Sequence, residues 1–231
     1  GTFLPPHQHQ LTRDENARVA AALGGGRSSE ELCRLQNIVV TRKDMRTLRP
    51  RQWLNDEVIN VFFALLSMRE SGSMLKCYFA STMLYSKLTR TPSGYCFENV
   101  RRWTKGRDIL VECELIIVPV HVHGNHWTLA VVNLKERCIV YYDSLGGIES
   151  DAIDICNNLL KWLDDMDTSD RDCLHFRHIR TSSPHQTNNF DCGIFMVYYA
   201  YYCAHGLQPD FTEEDCCHLR KCFVLELLAI G

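Results

Sequence analysis

No uninterrupted apolar stretch reaches the roughly 18 residues of a membrane-spanning helix, and the opening Gly-Thr-Phe-Leu-Pro-Pro-His-Gln lacks a charged region followed by an apolar core. A soluble, intracellular protein without a membrane partner is expected. Positive charge is not in excess, with 25 Lys and Arg against 28 Asp and Glu, so nucleic acid is not an expected ligand. Internal repeats, low-complexity tracts and Cys-x-x-Cys pairs are also missing. The 12 cysteines are scattered from Cys33 to Cys222, mostly within apolar segments, which reads as reduced buried thiols rather than the disulfide framework of a secreted protein. What remains is an ordinary globular composition. At 231 residues and 45% hydrophobic content, folding can bury about 70% of the unfolded surface without disulfides or a metal.

The pattern along the chain is mixed. Asp14 to Leu23 has helical composition and ends in Gly24-Gly25-Gly26, a flexible turn. Asn37 to Val40 reads as extended, and Thr41-Arg42-Lys43-Asp44 as a capped helical turn. Asn55 caps a core helix to about Arg69, apolar nearly all round. Ser81 to Leu88 and Glu98 to Thr104 are read as two short helices. Leu115 to His121, His126 to Leu134 and Cys138 to Asp143 are rich in Val, Ile and Tyr and apolar on both faces, as central strands are. A helix from Asp151 to about Asp165, a strand from Cys173 to Arg180, and a final helix capped at Thr212 and running to about Ala229 complete an α+β layout with a short central sheet.

One thiol stands out. Cys192 opens the apolar run Ile194 to Ala204, which stops at His205-Gly206 as a buried helix does. A cysteine in the first turn of that helix meets unpaired N–H groups and the positive end of the dipole, which favour thiolate and suit a nucleophile. Such a nucleophile needs a base, a group to orient that base, and donors for the oxyanion. His7 and His9 fall in a loose terminus, His205 and His218 at helix-end or surface positions, and His175 and His178 on opposite faces of one strand. The cluster His121, His123 and His126 remains. As a zinc site it is weak, because no paired Cys or acidic motif accompanies it. A carboxylate favours His126: if Leu134 pairs with Arg137 in a hairpin, Asp143 stands opposite Thr128, on the same face as His126 and diagonal to it at about 7 to 8 Å. Gln186, six residues before Cys192, can offer its amide N–H₂ to a substrate carbonyl beside the backbone N–H of Cys192.

These residues lie within a larger pattern. Trp53-Leu54-Asn55-Asp56-Glu57-Val58-Ile59-Asn60, Arg102-Trp103-Thr104-Lys105, Val118-Pro119-Val120-His121, His126-Trp127, Tyr141-Tyr142-Asp143-Ser144 and Gln186-x-Asn188-x-x-Asp191-Cys192-Gly193 follow in order. The chain resembles the SUMO-specific (sentrin-specific) cysteine proteases of the ubiquitin-like-protein protease class. That resemblance implies a single catalytic domain over 1–231 of papain-like architecture, with 1–35 as an N-terminal helix and turn on or leading into the core. It implies Cys192 as nucleophile, His126 as general base and acid, Asp143 as its orienting group and Gln186 as oxyanion donor. Trp53 and Trp127 would form a tunnel over a Gly-Gly tail, where only glycine lets a backbone pass between rings. Asp56 and Arg102 would contact the ubiquitin-like protein. The implied activity is hydrolysis after the C-terminal Gly-Gly of SUMO, in deconjugation or precursor maturation, by a monomer of the nucleus and/or cytoplasm. SUMO and its conjugates would be the partners, with no cofactor and no metal. The alternatives are a protease for NEDD8 or ubiquitin, an effector-type acetyltransferase, and a catalytically dead binding module. The chain departs from the family in having four residues, Val122 to Asn125, between His121 and His126, where three are common.

Overall fold

The computed structural model describes residues 5–69, 74–167, 177–180 and 183–230. Thr12 opens α1 (Arg13–Leu23) through a capping box with Glu15, and α1 presses Val19 and Ala22 into the core. Its end is not the flexible turn that three glycines suggest. Arg42 Nη1 donates to the Ala21 and Ala22 carbonyls at 2.8 and 2.9 Å, Arg46 Nη2 to those of Gly24 and Gly26 at 2.9 and 3.0 Å, and Arg49 Nε to Leu23 at 2.8 Å. Guanidinium donors satisfy the carbonyls that a helix C-terminus leaves unpaired. The segment entering Trp53 is thereby anchored. His7, expected in a loose terminus, has its Nδ1 2.8 Å from the Tyr202 hydroxyl.

A hairpin of β1 (Glu31–Leu35) and β2 (Ile38–Thr41) precedes α2 (Arg42–Met45), which the Thr41–Asp44 capping box opens as expected. In α3 (Asp56–Met68), Asn55 caps the Val58 N–H at 3.3 Å and the helix buries Val58, Ile59, Val61, Phe62, Phe63 and Leu66. Then come β3 (Cys77–Phe79), α4 (Leu84–Thr89) and, after a 3₁₀ turn at Phe97–Asn99, α5 (Ile109–Glu112). The helix expected over Glu98 to Thr104 is absent. Of that stretch only Val100 is buried, so no apolar stripe rewards the cost of nucleating a helix.

The central elements follow: β4 (Leu115–Val122), β5 (His126–Asn133), β6 (Cys138–Tyr142), α6 (Glu149–Met166), β7 (Arg177–Arg180), α7 (Cys192–Ala204) and α8 (Cys216–Leu228). The start of the strand expected from Cys173 lies outside the described residues. The sheet order is β3-β4-β5-β6-β7, with β3/β4 and β6/β7 parallel and the inner pairs antiparallel. Ile116, Val118, Ala130, Val132 and Ile139 pack with Leu84 and the buried stripe of α6, while Ile117, Leu129 and Val131 pack with α3, α7 and α8. Both faces are covered, which is why these strands are apolar throughout. In α7 every residue except Cys203 is buried, and Gly206, at φ +66°, closes it. Among the described residues no helix is long and apolar enough to cross a membrane.

Candidate active site

Asn133 pairs with Cys138 and Leu129 with Tyr142, so the β5–β6 register is the one that places Asp143 beside His126. His126 Nε2 lies 2.7 Å from Asp143 Oδ1, and the imidazole also hydrogen-bonds Cys192. Since Nε2 is committed to Asp143, Nδ1 is the nitrogen left for the thiol. Asp143 Oδ1 also accepts the Leu145 N–H at 2.9 Å, which fixes the carboxylate in its turn. Gly147, at φ +53°, makes room for it: a Cβ there would lie 2.3 Å from Asp143 Oδ2. Burial opposes a charged His126 ring, but the hydrogen bonds and charges of Asp143 and Cys192 outweigh it and raise His126 to about 9. The pair can therefore keep a proton on the imidazole at neutral pH.

That partnership separates Cys192 from the other thiols. All the described cysteines are free, and burial pushes Cys33, Cys156 and Cys203 up to about 11, which makes them inert. Cys192 is only 2% exposed, so whatever reaches it must be slender. Asp191, the residue before it, does not cap the first turn of α7.

Gln186 is buried and held at both ends. Its Oε1 accepts the Ser144 hydroxyl at 2.6 Å, its Nε2 donates to the Asn188 carbonyl at 2.7 Å, and its backbone N–H donates to the Ser144 carbonyl at 2.9 Å. These partners fix which end of the amide carries the protons, and one Nε2 proton is left over. Asn188 Oδ1 in turn accepts the Phe190 and Asp191 N–H groups at 3.0 Å each, and the Glu213 carboxylate accepts the Thr187 and Asn188 N–H groups at 3.0 to 3.1 Å. The loop from Gln186 to Cys192 is a bonded unit.

The two tryptophans differ. Trp53 is 51% exposed and donates Nε1 to the Asn189 carbonyl at 2.8 Å, whereas Trp127 is 5% exposed, packs in a tilted pair with His121 at 4.4 Å between ring centroids and donates Nε1 to the Leu54 carbonyl at 3.3 Å. Leu54 sits so close to α7 that a Cβ on Gly193 would lie 2.9 Å from its Cβ and Cγ. Asp56 is exposed at the start of α3 and its charge acts on His121, whose protonation burial nevertheless lowers. Trp53, Asp56 and Trp127 thus border the Cys192 cluster. Arg102 does not: it lines a groove with Arg101, Lys105, Arg107, Asp165 and Met166. Asp165 lies about 21 Å along α6 from Asp151, whose carboxylate meets His123 Nε2 at 2.7 Å. The longer loop after His121 is a tight turn, with His123 at φ +52° and Gly124 at φ +76°. His121, His123 and His126 have three separate partners and do not converge. Ser144, Glu213 and Arg220 also hold the site together; Ser144 lies in the Tyr141-Tyr142-Asp143-Ser144 motif, whereas Glu213 and Arg220 carry no local sequence signal for this role.

The fold and this buried Cys-His-Asp arrangement define a cysteine-protease catalytic domain of papain-like architecture. The chain belongs to the Ulp1 protease family, whose C-terminal catalytic domain matches residues 52–229. It is 37% identical over 245 residues to the ubiquitin-like-specific protease ESD4 of Arabidopsis thaliana, covering 99% of this chain and 47% of that protein. It is 36% identical to the human sentrin-specific protease 2, covering 95% of this chain and 37% of that protein. The chain therefore spans less than half the length of these relatives. Among solved structures, the C-terminal Ulp1 protease domain in complex with SMT3, the yeast ortholog of SUMO, superposes with a TM-score of 0.83 at 25% identity, covering 100% of this chain and 99% of that one.

Proposed function

We propose that this chain hydrolyses the bond after the C-terminal Gly-Gly of SUMO, releasing it from lysine side chains or from a precursor extension. The observation that carries the reading is the Cys192–His126–Asp143 cluster, with Cys192 only 2% exposed beside the exposed Trp53 and the buried Trp127, an arrangement that suits a tail without side chains. His126 Nδ1 takes the thiol proton, and Cys192 Sγ attacks the glycine carbonyl. The oxyanion is received by the spare Gln186 Nε2 proton and the Cys192 N–H, in a site where such donors are worth about 3 kcal/mol each. His126 then protonates the departing amine, leaving a thioester, and takes a proton from the water that hydrolyses it. Asp143 keeps Nε2–H directed at itself throughout and stabilises the imidazolium. Trp53 and Trp127 wall the tail, and Asp56 faces the body of the ubiquitin-like protein. The choice of SUMO is supported by the SMT3 complex of the solved relative, and a nuclear or cytoplasmic site of action accompanies it.

The test is a panel of SUMO, NEDD8 and ubiquitin, each carrying a fluorogenic amide on its terminal glycine. SUMO is expected to be cleaved at least 100-fold faster than the others. Preference for NEDD8 or ubiquitin would overturn the substrate assignment and leave the chemistry standing.

A further inference from the structure

Arg220 lies on α8, outside the reacting groups, and is 2% exposed. Its Nε and Nη2 donate to Asp191 Oδ1 at 3.1 and 2.7 Å. Nη2 also reaches the Gln52 carbonyl at 2.8 Å and that of Phe190 at 3.2 Å, and Nη1 reaches the carbonyls of Arg49 and Thr47 at 2.9 and 3.2 Å. Gln52 immediately precedes Trp53, and Asp191 immediately precedes Cys192. One planar guanidinium therefore ties the strand of chain that carries the outer tryptophan to the one that carries the thiol. Asn188 Nδ2 holds the other carboxylate oxygen of Asp191 at 2.8 Å, and the Trp53–Asn189 hydrogen bond closes the ring on the far side.

We propose that Arg220 is a positioning residue for the reaction, setting the separation between the Trp53 wall and Cys192 and so the distance at which a Gly-Gly carbonyl meets the thiol. The inference rests on the function proposed above. Arginine suits the task because its fork addresses several fixed acceptors in one plane, whereas a lysine ammonium could pair with Asp191 but not span both segments. Arg220 has a second effect. By engaging the Asp191 carboxylate it keeps an aspartate in the cap position of α7 from turning onto the first-turn N–H groups, as an N-cap aspartate otherwise does. Those N–H groups stay available to the oxyanion.

The decisive variant is Arg220→Lys, assayed with the SUMO fluorogenic substrate across pH 6 to about 10. A displacement of about 1 Å between wall and thiol costs on the order of 100-fold, so the plateau of kcat/KM is expected to fall by about that factor. The alkaline midpoint should stay near the wild-type value of about 9, because the His126–Asp143 contact is untouched. Asp191→Asn, which keeps the carbonyl contacts of Arg220, gives the same reading should the lysine variant not fold, with an expected loss of about tenfold. A plateau within twofold of wild type in the folded variant overturns the inference. So does an alkaline midpoint that moves together with the plateau, since Arg220 would then act on the triad or on general stability. A wild-type chain that cleaves no SUMO substrate would instead overturn the proposed function.

Discussion

Asp143→Asn removes the charge behind His126 while keeping the shape of the side chain. In the native chain the imidazole is raised from 6.5 to about 9 against the opposing effect of burial, with Asp143 and Cys192 supplying the excess. At about 1.4 kcal/mol per unit, this is a ceiling of about 3 kcal/mol in favour of the charged ring. Solvent at the mouth of the site reduces it to about 2 kcal/mol. Because the folded value is raised, this stabilisation is complete below pH 6.5, declines as pH climbs above it, and is gone once pH passes about 9. In the asparagine variant burial faces only Cys192, so the imidazole returns toward its ordinary value or below. Two measurements follow. The alkaline midpoint of kcat/KM with the SUMO substrate should lie near 9 in the native chain and fall by about two units in the variant, with a plateau lower by about 10³- to 10⁴-fold. Denaturant unfolding should show the native chain losing about 2 kcal/mol from pH 6.5 to about 9.5, and the variant losing little. An alkaline midpoint that stays in place in Asp143→Asn would refute the reasoning, because the proton on His126 would then not depend on Asp143.

Three other substitutions probe the surroundings. Ser144→Ala leaves the buried Gln186 Oε1 without its donor, so kcat should fall about tenfold through a loosened oxyanion donor with KM little changed; a raised KM at constant kcat in steady-state assays would contradict this. Gly193→Ala forces a Cβ against Leu54, costing about 1 to 3 kcal/mol by denaturant unfolding and displacing the Trp53 wall, so SUMO turnover should drop more than tenfold. The tryptophans should separate in thermal melts. Trp127→Ala empties a core position at about 3 to 5 kcal/mol, lowering Tm by about 10 °C, while Trp53→Ala, at an exposed position, should lower turnover about 100-fold with Tm nearly unchanged. Equal Tm values for the two variants would mean that Trp127 is not the core residue described here.

Much of the site could be read along the chain because its signals are local. The α7 boundaries follow from an apolar run ending in a glycine; the β5–β6 connection is four residues, 134–137, rather than the two of the expected hairpin, but its even count keeps the parity that brings Asp143 to the His126 face. Other elements left weaker traces. β3 has three residues, too few to show a period, and β1 breaks alternation, with charged Glu31 and Arg34 three apart and a register shift between Glu31 and Cys33, before a turn with Gln36 at φ +53° and no glycine to mark it. The basic stretch Arg101 to Lys105 has helical composition, but Trp103 is left 38% exposed and only the preceding Val100 is buried. Arg220 was the least legible. In Leu219-Arg220-Lys221 it reads as part of a solvent-facing helix turn, and its role depends on acceptors 29 to 173 positions away in the chain. Tertiary contacts of that kind have no sequence period.

The central claim, that Cys192 attacks the carbonyl of a terminal Gly-Gly under the control of His126, is tested most directly by trapping. SUMO bearing a C-terminal electrophile, incubated with the chain at neutral pH and digested for mass spectrometry, should yield one cross-linked peptide containing Cys192, formed at least 100-fold more slowly in His126→Ala and not at all in Cys192→Ala. Attachment at any of the other cysteines, or labelling that persists in Cys192→Ala, would contradict it.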